Sequence, residues 1–218
     1  MLVSDFFPMW DNLTKEEQTI LTANAVLKER KAGQLIHDSG EDCEGLILVT
    51  KGQLRAFVMS PEGKEVTLYR VLPGEICLFS ASCILKNVKL DVTVQAEKET
   101  AYYLIPAHHY KNLTEHSLAI SQYTNEILSR RFSDVMWLLE QIMWQSMDKR
   151  LAVFLLEEAN LENSDELTIT HEKIAAHLGT AREVITRILK YFQGEGLVEL
   201  NRGIVQIKNK EALSKLMS

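Results

Sequence analysis

Apolar residues follow three rhythms along this 218-residue chain, and each predicts a different kind of element. Between residues 10 and 30, Leu13, Ile20, Leu21, Ala25, Val26 and Leu27 follow Asn12 or Thr14 as candidate caps and predict a helix. From Lys31 to Pro106 the runs become strand-like: LILVT, QLRAFVM, EVTLYRVL, DVTVQA and AYYLIP, separated by turns at Gly33, Gly40, Gly52, Gly63 and Gly74. Many short strands with regular turns imply a jelly roll (double-stranded β-helix) rather than a parallel sheet with crossover helices. From about Ser117 to Ser146 the helical period returns, with Leu128, Phe132, Val135, Leu139 and Ile142 alternating at four and three residues. That spacing suits a seam against a partner helix, or a helix packed on its own sheet. Trp137 and Trp144 fall off the seam and are expected to face the β-domain. Asp148-Lys149-Arg150 interrupts the apolar pattern as a candidate hinge, and Leu151 to Leu161 predicts another helix.

The stretch Thr170 to Tyr191 reads as two short helices across a tight turn. Ile174, Ala175 and Leu178 put apolar groups on one face, Ala176 permits close approach, and Gly179 supplies the turn. Thr180 is expected to cap the second helix, with Glu183 completing a T-x-x-E box. Val184, Ile185, Ile188 and Leu189 form the buried face of that helix, leaving Arg182, Glu183, Thr186, Arg187 and Lys190 pointing outwards. Leu197–Leu200 and Ile204–Ile207 then flank Asn201-Arg202-Gly203, the pattern of a β-hairpin. The expectation is an α+β chain: a β-roll sensor domain over 1–116, a long dimerisation helix over 117–147 and a winged helix-turn-helix over 148–218.

The outward residues of the second helix carry chemistry suited to base edges. An Arg guanidinium can grip guanine O6 and N7 with two hydrogen bonds, and a carboxylate can accept from cytosine N4. Arg182, Glu183, Thr186 and Arg187 are the candidate base readers, although a charged helix face also suits plain solvation. Thr170, His171, Thr180, Lys190 and Arg202 are candidate phosphate contacts, Arg202 at the tip of the wing. Charge agrees with this division: residues 171–218 carry eight Lys or Arg against five Asp or Glu, whereas the first 170 carry 16 against 25. The overall −6 thus conceals a mildly basic tail.

Composition adds exclusions. At 46% hydrophobic and 25% charged, the chain has ordinary globular proportions. MLVSDFF lacks the features of a secretory signal, and no run approaches a membrane span, so a cytoplasmic protein is expected. Cys43, Cys77 and Cys83 are too few for a disulfide framework and are read as reduced thiols. No catalytic constellation stands out. His108, His109 and His116 cluster, with His37 elsewhere, without a recognised ligand spacing. They are read as surface histidines rather than a metal site, and haem stays open. A cupin-like metalloenzyme is the alternative from another class, but the strands hold no H-x-H arrangement.

The order helix, glycine-punctuated jelly roll, seam helix, hinge, winged helix-turn-helix resembles the Crp/Fnr family of bacterial transcription regulators. The resemblance rests on KRLAVFLL at 149–156, on GTAREVITR at 179–187, on Gly196-Leu197, and on the turns VTKG, EGKE and PGE beginning at Val49, Glu62 and Pro73. It implies a homodimer on a palindromic double-stranded DNA site, with Arg182, Glu183 and Arg187 as readers, RNA polymerase as a further partner and a small-molecule effector or redox signal sensed by the β-roll. Ala181 replaces the Ser or Thr many members carry. By the same resemblance the effector pocket would involve Gly74, Glu75, Cys77, Cys83, Lys89 and Asp91. A cyclic-nucleotide-binding module is the alternative. Yet Leu90-Asp91 stands where those members have Arg followed by Ser or Thr, and Asp91 would repel a cyclic phosphate. No cysteine precedes Cys43, which argues against an iron-sulfur cluster. Cys77 and Cys83 could form a thiol switch or be small buried hydrophobes.

Overall fold

The computed structural model describes residues 1–38, 45–78 and 92–217. Cys43, Cys83, Lys89, Leu90 and Asp91 lie outside the described residues. The chain divides into two compact units, Met1–Met59 with Leu68–Val135, and Ser60–Thr67 with Met136–Ser218.

The first unit holds two four-stranded sheets. One has the order β1 (Val26–Arg30), β8 (Thr100–Pro106), β3 (Gly45–Lys51), β6 (Ile76–Cys77). The other runs β2 (Leu35–His37), β7 (Thr93–Ala96), β4 (Leu54–Met59), β5 (Glu65–Val71). Strand alternation builds two cores at once. On β3, Leu46 and Leu48 join Phe6, Phe7, Leu21 and Ile105 in a core shared with helices, while Ile47 and Val49 join Leu54, Ala56, Val94 and Tyr102 in a second core. LILVT therefore reads as a continuous apolar run because both of its faces are covered.

The opening helix is shorter than its pattern predicts. α1 spans Lys15–Ala23, capped by Thr14 and Glu17 in a reciprocal box, with Glu17 N–H donating to Thr14 Oγ1 at 3.2 Å. The Asn24 side chain closes the helix by donating to the Ile20 carbonyl at 2.8 Å. Val26 and Leu27 instead pair with Leu104 and Tyr103 on β8. After β8 come α2 (Ala107–His116), which carries the three clustered histidines, and α3 (Leu118–Trp144).

α3 buries Ile120, Thr124 and Ile127 in its N-terminal half, where Leu128 also packs on the helical core. Further along, Phe132, Leu139 and Ile142 are 67%, 45% and 44% exposed. The tryptophans depart from expectation: Trp144 is 76% exposed, and Trp137 lines a groove with Val153 and Leu156 rather than a β-sheet. The helical break falls at Gln145–Ser146, and Asp148-Lys149-Arg150 forms the first turn of α4 (Met147–Glu162). Arg150 is buried there, donating to the Leu178 carbonyl at 2.8 Å.

The second unit adds β9 (Glu166–Leu167), α5 (His171–Leu178), α6 (Arg182–Gly194), β10 (Val198–Asn201), β11 (Ile204–Ile207) and α7 (Lys210–Lys215). Its three strands form one sheet in the order β10-β11-β9.

Candidate nucleic-acid interface

α5 and α6 are held as a pair by Ile174, Ala175, Ile185, Leu189 and Phe192, each at most 3% exposed and packed with Leu151 and Leu155 of α4. Complete burial of each large side chain contributes roughly 1.5–3 kcal/mol, enough to fix the crossing of two helices that are individually too short to be stable. Val184 and Ile188 are half-buried at the margin of this face.

The local signals at the helix ends divide. Thr170 caps α5, its hydroxyl accepting from Lys173 N–H at 3.2 Å. Gly179 ends α5 in the left-handed region at φ +69°, as the turn requires. The T-x-x-E box at Thr180 does not form: α6 begins one residue later, with Ala181 as an N-cap that makes no side-chain bond. Thr180 N–H reaches back to the Ala175 carbonyl, so that residue belongs to the C-terminal closure of α5.

Arg182, Glu183, Thr186, Arg187 and Lys190 line one open concavity of about 400 Å³ along α6. The two arginines, Glu183 and Lys190 are exposed, and Thr186 is half-buried. Beneath them, Thr186 Oγ1 donates to the Arg182 carbonyl at 2.9 Å and lies 2.9 Å from His171 Nδ1. Burial, with the Arg182 charge as a smaller cause, holds the His171 pKa below its ordinary value of 6.5. His171, a candidate phosphate contact, is also partnered through Nδ1 to Thr186 of α6, a pairing fifteen residues apart that no local spacing announces.

His177 is buried and cannot be a surface phosphate contact. Its Nδ1 is 2.8 Å from Thr67 Oγ1, and its ring stands 5.2 Å from that of Phe154. Thr67 is the third residue of β5 and lies in the Ser60–Thr67 segment that is part of this same unit. Val66 forms a β-bridge with Leu178, and its Cγ2 would lie 2.4 Å from a Cβ placed on Gly179. The turn between the two helices is thus closed by Val66 on one side and fixed through the Leu178 carbonyl by Arg150. The hairpin predicted after α6 is present: Val198 pairs with Ile207 and Asn201 with Ile204, leaving Arg202 exposed beside Gly203 at φ +75°.

In the first unit, Gly74 adopts φ +90° and the Glu75 carboxylate accepts from Leu72 N–H at 2.9 Å. Arg131 of α3, which sequence reasoning did not single out, donates to Glu75 at 3.4 Å and to Asp134 at 3.1 Å, and its guanidinium stacks 4.3 Å from the Tyr69 ring centroid. Desolvation alone would lower its pKa, but Tyr69, Glu75 and Asp134 outweigh that and raise it. Gly74, Glu75 and Arg131 line an opening of about 460 Å³. Cys77 is fully buried on β6 and belongs to the inter-sheet core. Among the described residues there is no group of three metal-ligating side chains, and no helix is long and apolar enough to cross a membrane.

An antiparallel β-roll followed by a long helix and a winged helix-turn-helix is the architecture expected of a regulator that joins a sensing domain to a DNA-binding one, but the architecture alone does not assign that function. Comparison with known proteins agrees in both halves: residues 27–117 match the cyclic nucleotide-binding domain family, and residues 149–216 match the Crp-like helix-turn-helix domain family. The chain belongs to the Crp/Fnr family of transcription regulators. It is 49% identical to a crystal structure of a Crp/Fnr-family regulator from Eubacterium rectale, covering 98% of this chain and 99% of that one with a TM-score of 0.95. The cyclic AMP receptor protein of Thermus thermophilus is 25% identical over 209 residues, 96% of each chain. The transcriptional activator FnrA of Stutzerimonas stutzeri is 26% identical over 196 residues, 85% of this chain and 78% of that protein.

Proposed function

We propose that this regulator acts as a homodimer on a two-fold symmetric duplex site, each α6 entering a major groove one helical turn from the other. The observation that carries the reading is the alignment of Arg182, Glu183, Thr186, Arg187 and Lys190 along one open face of α6, whose opposite face is locked in the core. In this reading Arg182 and Arg187 read guanine and Glu183 accepts from cytosine. Thr170, His171, Thr180, Lys190 and the wing residue Arg202 meet phosphates. Dimerisation uses the seam of Leu128, Phe132, Val135, Leu139 and Ile142, several of which expose large apolar surface on a single chain.

Residues 1–116 then serve as the sensor, 117–147 as the dimerisation helix and 148–218 as the reader, with RNA polymerase as the downstream partner. A cyclic nucleotide fits the sensor poorly. Glu75 is already engaged by Arg131 at 3.4 Å, and by the family resemblance Asp91 falls where cyclic-nucleotide-binding members carry a phosphate-binding residue. The effector is therefore another small ligand or a redox signal. It can act only by binding one arrangement of the protein better than another.

Selection of bound sites from random duplex DNA tests this reading, with a palindrome expected. Arg187→Ala should lose preference at one base pair per half-site, at a cost of about 1–3 kcal/mol. Lys190→Ala and Arg202→Ala should weaken all sequences alike and flatten the salt dependence. A base preference altered by either lysine or wing variant would misplace the helix in the groove.

A further inference from the structure

A groove of about 390 Å³ lies wholly within the second unit, between the C-terminal part of α3 and α4. That volume is in the range of small-molecule sites, which combine apolar surface with a few placed polar groups. Val153 and Leu156 supply apolar lining, together with Trp137, an aromatic side chain left 45% exposed. Gln141, Gln145 and Asn160 bring three side-chain amides to the same lining. Among the described residues, no hydrogen bond within the protein ties up these amides. Lys149 and Glu157 add one charge of each sign, so the lining carries no net charge and favours a neutral ligand. An amide is donor and acceptor at once, and it suits a ring edge that carries an acceptor beside a donor, as Asn and Gln do with adenine. An exposed indole suits the ring itself.

The lining residues stand on both sides of the helical break at Gln145–Ser146. α4 is tied through Leu151 and Leu155 to the core that holds α5 and α6. A molecule spanning the groove therefore biases the angle at which the helix-turn-helix leaves α3. We infer that this groove is an effector site for a neutral, planar heteroaromatic molecule of the size of a purine base, its ring against Trp137 and its polar edge on the amides. The groove shares no residue with the β-roll opening at Gly74, Glu75 and Arg131. The effect on DNA rests on the proposed role of α6, whereas ligand binding does not.

Calorimetry on the full-length protein with free adenine, hypoxanthine and indole tests the site. Adenine or hypoxanthine should bind once per chain. Indole, which has the ring without the paired donor and acceptor, should bind about five-fold more weakly. Trp137→Ala should weaken the base by roughly ten-fold, and Trp137→Phe, which returns a ring, should recover most of that loss. Gln141→Leu should cost about two- to ten-fold. Trp144→Ala, at a 76% exposed position outside the lining, should leave base affinity unchanged. Saturating base should change the affinity of the wild type for its selected palindrome by about five-fold or more, and that of Trp137→Ala not at all. Binding of neither base, binding unaltered in Trp137→Ala, or a bound base that leaves DNA affinity unchanged overturns the inference. So does dissociation of a dimer by Trp137→Ala, which would assign the groove to a second copy of the chain. Base binding with these variant effects in a protein that selects no DNA site would remove the reading of α6, and the effector role with it, while the ligand site stands.

Discussion

His171 links stability, protonation and the packing of α5 on α6 in one side chain. Burial, and secondarily the Arg182 charge, lower its pKa from 6.5, so the folded protein holds this proton less readily than the unfolded chain. Its contribution to stability is therefore complete above about pH 6.5 and is lost as pH falls through the depressed folded value. An NMR titration should show Arg182→Ala moving the His171 midpoint upwards but not fully to 6.5, since burial is the larger cause. An unmoved midpoint would mean that Arg182 exerts no field at α5. Gly179 makes a second residue-scale case. Alanine there meets both a left-handed backbone, which costs about 1–2 kcal/mol, and Val66 Cγ2 at 2.4 Å. Gly179→Ala should lower the denaturation midpoint, and Val66→Ala in the same chain should recover part of the loss. No recovery would show that backbone strain alone is responsible. The glycine and the exposed charges of α6 were legible in the sequence because both depend on local backbone and period. His171–Thr186 and Val66–Gly179 were not, because each joins residues brought together only by tertiary packing. Thr180 was misjudged for a related reason: a capping motif specifies a helix start only if the preceding helix has already released that residue.

Among the elements, α3 makes the clearest prediction. Phe132, Leu139 and Ile142 together place large apolar groups on one stripe of a helix whose N-terminal half is already committed to the β-roll core. Phe132→Glu and Ile142→Lys alter positions that are solvent-exposed in the single chain, so each should fold normally. Sedimentation should show a shift from dimer towards monomer, with affinity for the full palindrome falling far more than affinity for an isolated half-site. Dimers that survive the paired substitution would rule out the seam. Period sufficed to locate α3, α5, α6 and the strands β3, β4, β5, β7 and β8, because each carries apolar side chains at the regular spacing of its element. It missed β2 and β6, at three and two residues, which are too short to show a period. It also ran one helix through Val26 and Leu27, where pairing with β8 overrides local pattern. α2 escaped notice because AHHYKNLTEH buries only Tyr110 and Leu113.

At the scale of the whole chain, the β4–β5 hairpin matters because its strands and its tip serve different units. β4 and most of β5 build a β-roll sheet, whereas Ser60–Thr67 packs with the helix-turn-helix. Stability of the reading helices should therefore depend on residues more than a hundred positions upstream. Hydrogen exchange on the intact protein can measure this through the Thr180 amide, whose bond to the Ala175 carbonyl closes the turn. Replacing Val66 by serine and Thr67 by alanine removes the methyl packed at Gly179 and the oxygen beside His177. Exchange at Leu178–Thr180 should then accelerate, while amides in the β3–β8 ladder, paired from Gly45↔Pro106 through Lys51↔Ala101, keep their protection. Acceleration in both places would indicate general destabilisation of the β-roll. No acceleration at Thr180 would mean that the turn is held by Arg150 and the apolar core alone. If the selective pattern is found, the hairpin tip becomes a structural part of the DNA-binding unit.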